Sequence, residues 1–420
     1  MSYAASGASS DKMLRVGRKT GRILRAMGCN VDNAPSIDIN LNPENPIIGT
    51  RSYGDNVEQV TTLVVSFAKG LEEAGVLAAC KHFPGHGNVH GDTHLEAVVN
   101  NSSAEFLQNN DFAPFKKAID EGIGALMTAH VTFTDISDKP ATLSYEIMTK
   151  LLREQMGFEG IAISDAMEMS AIRKHYPGGE ASVRAIEAGC DQVLLYSYST
   201  DFVKVALEAV YEAAESGRIT EKRLDESIER ISRQKLKYNI ADAEPDSELA
   251  NRLVFDEGDI QGFFEDKMNS VTCLKNNGVL DNLKNKKLLC VAPEWQLRRG
   301  VEEPKKAALS FSDVFGEVFA DATLLAPEEA LTLDGNYDAA VVGITGFISN
   351  PIQAEVIKAI REKGIPVVAI LLNSPYEYRH VADCNAVVTC YEYTELSVRA
   401  LTRAMEKNEY KGTLPVKLPV

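Results

Sequence analysis

Through roughly its first 240 residues the chain alternates short apolar runs with amphipathic stretches, and the apolar runs end in polar or glycine-rich loops. Strand-like runs cover 31–38, 76–83, 125–131, 160–165 and 192–196. Helical periodicity covers 11–27, 56–74, 104–121, 146–156, 179–188 and 201–216. Such βα repetition builds a parallel sheet. No glycine-rich phosphate loop follows any of these strands. The residues able to do chemistry gather at strand ends: Asp38, then Lys81 and His82, then His130, then Asp165. Successive strands that each offer polar groups at their carboxyl ends fit an α/β fold of the TIM-type (β/α)8 barrel, whose active face lies there. An open doubly wound sheet would concentrate its site at one crevice. About five strand–helix units are countable, and the first expected element is the helix 11–27. A closed barrel needs eight strands, so a barrel incomplete at its N-terminus is expected over 1–240.

Residues 241–265 are acidic and irregular and read as a linker with a short helix. Strand-like 287–292, 339–344, 365–372 and 386–391, separated by helical 351–363 and 394–406, then predict a three-layer αβα sandwich over 266–420. The formal charge of −16 argues against nucleic acid and against an anionic membrane surface as partners. No run approaches the roughly 18–20 apolar residues that span a bilayer. The first eleven residues are small and polar, without the basic and apolar regions of a signal peptide. The seven cysteines include no CxxC pair and read as buried thiols in a reducing compartment, which makes the cytoplasm the expected location.

The densest chemistry lies in Lys81-His82-Phe83-Pro84-Gly85-His86-Gly87-Asn88-Val89-His90-Gly91-Asp92-Thr93-His94. His82, His86, His90 and His94 recur every fourth residue, which on a helix would stack four imidazoles as a metal face. Pro84, Gly85, Gly87 and Gly91 forbid that helix, so the segment is read as an irregular loop without a metal. In Asp92-Thr93-His94, the carboxylate can turn back to accept the ring N–H of His94 and leave the other nitrogen for proton transfer; ordinary loop hydrogen bonding is the plainer alternative. Asp165 stands where the run Gly160-Ile161-Ala162-Ile163-Ser164 ends. A carboxylate there suits a nucleophile or an electrostatic stabiliser, or it merely caps the next helix. Arg51, Lys81 and His82 can donate to substrate hydroxyls, although a lone cation is more often a solvated surface charge.

The whole loop resembles the signature of the bacterial β-N-acetylglucosaminidases of glycoside hydrolase family 3. Ala34-Pro35-Ser36-Ile37-Asp38, Ile48-Gly49-Thr50-Arg51-Ser52-Tyr53, Met127-Thr128-Ala129-His130-Val131 and Ile163-Ser164-Asp165-Ala166-Met167 are similar to the family's motifs in order and spacing. Ser374-Pro375-Tyr376 and Gly412-Thr413-Leu414-Pro415-Val416 resemble its C-terminal αβ domain. The resemblance implies a retaining exo-β-N-acetylglucosaminidase without a cofactor, acting on peptidoglycan- or chitin-derived glycans. Asp165 would be the nucleophile, and His94 with Asp92 the acid/base dyad. Arg51, Lys81 and His82 would bind the sugar, with His130 also lining the site. Inorganic phosphate in place of water is the alternative acceptor, since a neutral imidazole repels it less than a carboxylate would. The family's early Asp-x-Glu-Gly-Gly segment does not occur in this chain. With the strand count, that predicts about 80–100 residues fewer than the family's barrel and, as a further alternative, an inactive or fragmentary member. A β-glucosidase or xylosidase of the same superfamily fits less well, because those relatives lack the Asp-x-His loop.

Overall fold

The structure, a computed structural model, describes residues 1–196, 199–241, 244–293 and 310–419. They divide into two compact units, Ser9–Asp256 and Glu257–Val420 together with Met1–Ala8.

In the first unit four strands, β1 (Val31–Asp32), β2 (Leu77–Phe83), β4 (Ala125–Thr128) and β6 (Ile161–Ile163), form one parallel ladder in that order. A single bridge joins Ile163 to Gln192, but the strand expected at 192–196 does not form beyond it. Two further short strands, β3 (Val98–Asn100) and β5 (Val131–Phe133), pair with each other beside it. Both faces of β4 and β6 and of most of β2 are buried, which is why these strands read as continuous apolar runs, whereas Val31 of β1 is exposed. Ala78, Cys80, Leu126 and Ala162 face a core shared with Val64, Val65, Ala68 and Leu71 of the helix Val57–Glu73. The alternate residues Leu77, Ala79, Met127 and Ile163 pack with Tyr238 and with Ile231 of the helix Glu221–Lys237. Asp191 ties these layers together at the start of β6. Its buried carboxylate accepts hydrogen bonds from Arg153 at 2.6 Å, Arg230 at 2.9 Å, Ser227 at 2.9 Å and the Ala162 amide at 2.9 Å.

Three sequence expectations need correction here. The helix expected over 104–121 is two helices, Ala104–Asn109 and Ala113–Asp120, because Pro114 cannot continue a helix but opens one well. The segment 241–265 is largely helical, with Ser247–Val254 in the first unit and Glu257–Ser270 in the second; positions 242 and 243 lie outside the described residues. The first eight residues, expected in the barrel domain, group with the second unit. There Met1 and Ala5 pack with Tyr376, Tyr391 and Val416.

The second unit is a six-stranded sheet in the order β7 (Thr272–Asn276), β12 (Ala386–Thr389), β11 (Val367–Leu371), β10 (Ala339–Ile344), β8 (Leu288–Val291) and β9 (Thr323–Leu325). All neighbours are parallel except β7 with β12. Leu288 and Cys290 face the helices Phe311–Val318 and Glu395–Lys407, while Leu289 and Val291 face Ile352–Glu362. That alternation makes the three layers. The edge strands β7 and β9, short and only partly apolar, carry no readable periodicity.

Candidate active site

Asp38, just beyond β1, is the hub of the site. Its buried Oδ2 accepts Nδ1–H of His82 at 2.7 Å, the His82 amide at 3.1 Å and the Ser36 hydroxyl at 2.9 Å. Oδ1 accepts the His86 amide at 2.7 Å. Burial raises the Asp38 pKa, but the charge and hydrogen bond of His82 outweigh it and hold the carboxyl below its ordinary range. Asp38 thereby sets the His82 tautomer and leaves Nε2 as the nitrogen available to a ligand. The sequence placed Asp38 at a strand end but gave it no task, since its histidine partners are 44 and 48 residues away.

The peptides Lys81–His82 and Phe83–Pro84 are cis where β2 runs out, and the pairing of β2 with β4 shifts register between Lys81 and Phe83. Past Pro84 the loop is irregular, as Pro and Gly dictate. Asn45 pins it, donating from Nδ2 to the His86 carbonyl at 2.7 Å and the Val89 carbonyl at 3.0 Å. The loop lies so close to the chain after Asp38 that a Cβ on Gly87 would stand 1.8 Å from the Ile39 carbonyl oxygen. His86 is buried, and burial first, then His82, depresses its pKa to about 4, so it is neutral at physiological pH. His90 is solvent-exposed, 3.9 Å from Glu44. Among the described residues the four histidines of the loop do not converge on a common point for a metal.

Asp92 and His94 make the pair their spacing predicts. Asp92 Oδ1 accepts both Nδ1–H and the backbone N–H of His94, each at 2.8 Å. A carboxylate can only accept, so Nδ1 carries a proton and Nε2 is the nitrogen that exchanges one. The dyad is about a quarter exposed, open to a ligand. It is also tied to the start of the helix Ser170–Arg173 that follows Asp165: the amides of Ser170 and Ala171 donate to the carbonyls of His94 (3.4 Å) and Thr93 (3.2 Å), and Lys174 Nζ reaches the Leu95 carbonyl at 2.9 Å.

Asp165 follows β6. It is half-buried, and the desolvation raises its pKa, yet His130, His82, the Ala166 amide at 2.8 Å and Lys81 together hold it below the ordinary carboxylate range. The side chain is therefore an anion throughout the neutral range. Lys81 is itself depressed by burial and by Arg51, while Asp165, Asp32 and Asp38 counter this. Arg51 sits in the turn Gly49–Arg51 with Nη1 3.4 Å from the Ile47 carbonyl. Charge coupling thus links Asp165 to Lys81 and His82 and Lys81 to Arg51, while His130 feels both Asp165 and His94.

His130 departs from expectation. It was expected to line the sugar site, but it is fully buried, with Nδ1 2.8 Å from Thr142 Oγ1 and Nε2 3.0 Å from the Ala166 carbonyl. Neither nitrogen is left for a sugar. Its sequence context, a strand end among other site residues, could not reveal Thr142 as a partner twelve residues on.

Asp111 is the other residue that the sequence did not single out. It lies against Gly85, where an added Cβ would come 2.7 Å from its own, and Oδ2 is buried without a partner among the described residues. Burial, then repulsion from Asp38, pushes its carboxyl up to about 7. An unfolded aspartate titrates near 4, so between about pH 4 and 7 the folded protein keeps a proton that the unfolded chain has lost. Stability should therefore fall as pH rises through that window, by roughly 4 kcal/mol at most. Thermal melts from pH 5 to 8 should show this decline, flattened in Asp111→Asn; an equal slope in the variant refutes the assignment.

Residues 2–234 match the Glycosyl hydrolase family 3 N terminal domain. Beta-hexosaminidase A of Pseudoalteromonas piscicida is 28% identical over 422 residues, covering 90% of this chain and 70% of that protein. A beta-hexosaminidase of Neisseria meningitidis is 37% identical over 181 residues, covering 43% of this chain and 50% of that protein. A beta-N-acetylglucosaminidase/beta-glucosidase of Cellulomonas fimi is 32% identical, covering 55% of this chain. The chain spans only 42% of the length of this last relative. Among solved structures, a glycoside hydrolase family 3 beta-N-acetylglucosaminidase from Paenibacillus superposes with a TM-score of 0.89 at 31% identity, covering 100% of this chain and 82% of that one. The chain belongs to glycoside hydrolase family 3, on its bacterial β-N-acetylglucosaminidase branch.

Proposed function

We propose that the chain is a retaining β-N-acetylglucosaminidase, releasing terminal N-acetylglucosamine from peptidoglycan- or chitin-derived glycans. The observation that carries this is the Asp92–His94 dyad, hydrogen-bonded through its backbone to the start of the helix that follows the Asp165 carboxylate. The Asp165 carboxylate attacks the anomeric carbon as the glycosidic C–O bond breaks. His94, protonated on both nitrogens and steadied by Asp92, gives its Nε2 proton to the departing oxygen. The neutral ring then takes a proton from water, whose oxygen displaces Asp165 and restores the starting enzyme. Arg51, Lys81 and His82 would hold the sugar hydroxyls meanwhile as hydrogen-bond donors.

The proton-transfer group is an imidazole rather than a second carboxylate, and this favours one second reading, in which phosphate resolves the glycosyl-enzyme. Incubation with an aryl β-N-acetylglucosaminide separates the two. Hydrolysis gives free N-acetylglucosamine at a rate indifferent to phosphate; phosphorolysis gives the sugar 1-phosphate and accelerates with added phosphate. Failure to turn over the aryl glycoside in either buffer overturns both.

A further inference from the structure

Asp165 must keep its carboxylate aimed at one carbon, yet its backbone lies in an irregular turn beyond the last ladder pair of β6. A chain of side-chain hydrogen bonds holds that turn from both sides. The Asp165 amide donates to Thr128 Oγ1 at 3.3 Å. Thr128 Oγ1 is 2.6 Å from Thr142 Oγ1, and Thr142 Oγ1 is 2.8 Å from His130 Nδ1. His130 Nε2 is 3.0 Å from the Ala166 carbonyl. Thr128, His130 and Thr142 are all buried, so water cannot substitute for a missing partner.

Proton counting gives the chain a direction. A carbonyl only accepts, so His130 carries its proton on Nε2. Burial depresses the His130 pKa, which favours the neutral ring with Nδ1 as an acceptor. The Thr142 hydroxyl must then point at Nδ1, and Thr128 must supply the proton between the two hydroxyls. The Ala129 carbonyl, 3.1 Å from Thr142 Oγ1, is a competing acceptor, but donation to it would leave the buried Nδ1, at the shorter 2.8 Å, without a donor. Donation then runs one way from the Asp165 amide through Thr128, Thr142 and His130 to the Ala166 carbonyl. The chain starts and ends on the backbone that bears the nucleophile.

We propose that Thr128, Thr142 and His130 form a positioning relay that clamps the Asp165–Ala166 backbone and so aims the nucleophile, without any of the three touching the sugar. The proposal rests on the assignment of Asp165 as nucleophile. Removing a hydroxyl from the middle breaks the clamp at little cost in volume: Thr142→Val leaves Thr128 without its acceptor and His130 without its donor, whereas Thr142→Ser keeps both. A small loss of aim costs turnover on the order of 10-fold to 100-fold without weakening ground-state binding.

The test measures kcat and KM on an aryl β-N-acetylglucosaminide, together with the rate at which a 5-fluoro-N-acetylglucosaminyl fluoride adds its mass to Asp165. Thr142→Val should lower kcat by about 10-fold or more and slow trapping by a similar factor, with KM within about threefold of wild type. Thr142→Ser should restore both rates to within about threefold. Thr128→Val, assayed in the same way, serves if Thr142→Val does not fold. Three results overturn the relay: valine variants with undiminished kcat, a serine variant as impaired as the valine one, or a fall in kcat with trapping unchanged. If wild type turns over only an aryl glucoside, the sugar assignment falls, and the same variants are then read on the glucoside with its own fluorosugar.

Discussion

Asp165→Ala should abolish turnover, lowering kcat on an aryl β-N-acetylglucosaminide by about 10⁴-fold or more, the scale of losing a covalent nucleophile. The expectation follows from how much of the site is arranged around this one anion. Its partial burial alone would favour the neutral acid, and four groups reverse that: His130, His82, the Ala166 amide and Lys81. Water could not take over in the variant, because displacing the leaving group from the opposite face of the sugar needs a base placed there, and the dyad is committed to the leaving oxygen. The variant should melt cooperatively, which separates loss of chemistry from loss of fold. Turnover within about tenfold of wild type would remove Asp165 from the mechanism.

His94→Ala should lower kcat by about 10²- to 10⁴-fold for a poor leaving group such as a second sugar. The loss should shrink for a good one such as a nitrophenolate, which needs no proton to depart. With the activated substrate the slow step becomes release of the glycosyl-enzyme, since no imidazole deprotonates the incoming water. Azide, which needs no base, should then restore turnover and give the β-glycosyl azide. Retained configuration in that product reports the covalent intermediate on Asp165; an α-azide would contradict it. Asp92→Ala should produce a weaker form of the same pattern, because Nδ1 loses the acceptor that fixes the ring (2.8 Å).

Much of this was legible in the chain. The apolar runs at 76–83, 125–131 and 160–165 gave β2, β4 and β6, because strands buried on both faces must be apolar throughout. The Pro and Gly of the histidine loop excluded a helix there. Asp92-Thr93-His94 is a local device, and two residues of separation suffice to make its hydrogen bonds. β3 and β5 went unread because three residues carry no periodicity; only their pairing defines them.

Local sequence determined which side chains stand at the carboxyl ends of the strands, where the backbone ladder stops and polar groups can face a ligand. It also determined the Asp92–His94 dyad, whose geometry is contained in three residues. Tertiary structure alone decided which of those side chains meet the ligand and which serve the others. Asp38 became the holder of His82 across 44 residues, Asp111 a buried carboxylic acid under Gly85, and His130 a clamp on Asp165 rather than a sugar ligand. Each of these roles depends on what fills the second hydrogen-bonding position or the surrounding dielectric, and those partners are brought together by packing between strands, beyond the reach of spacing along the chain.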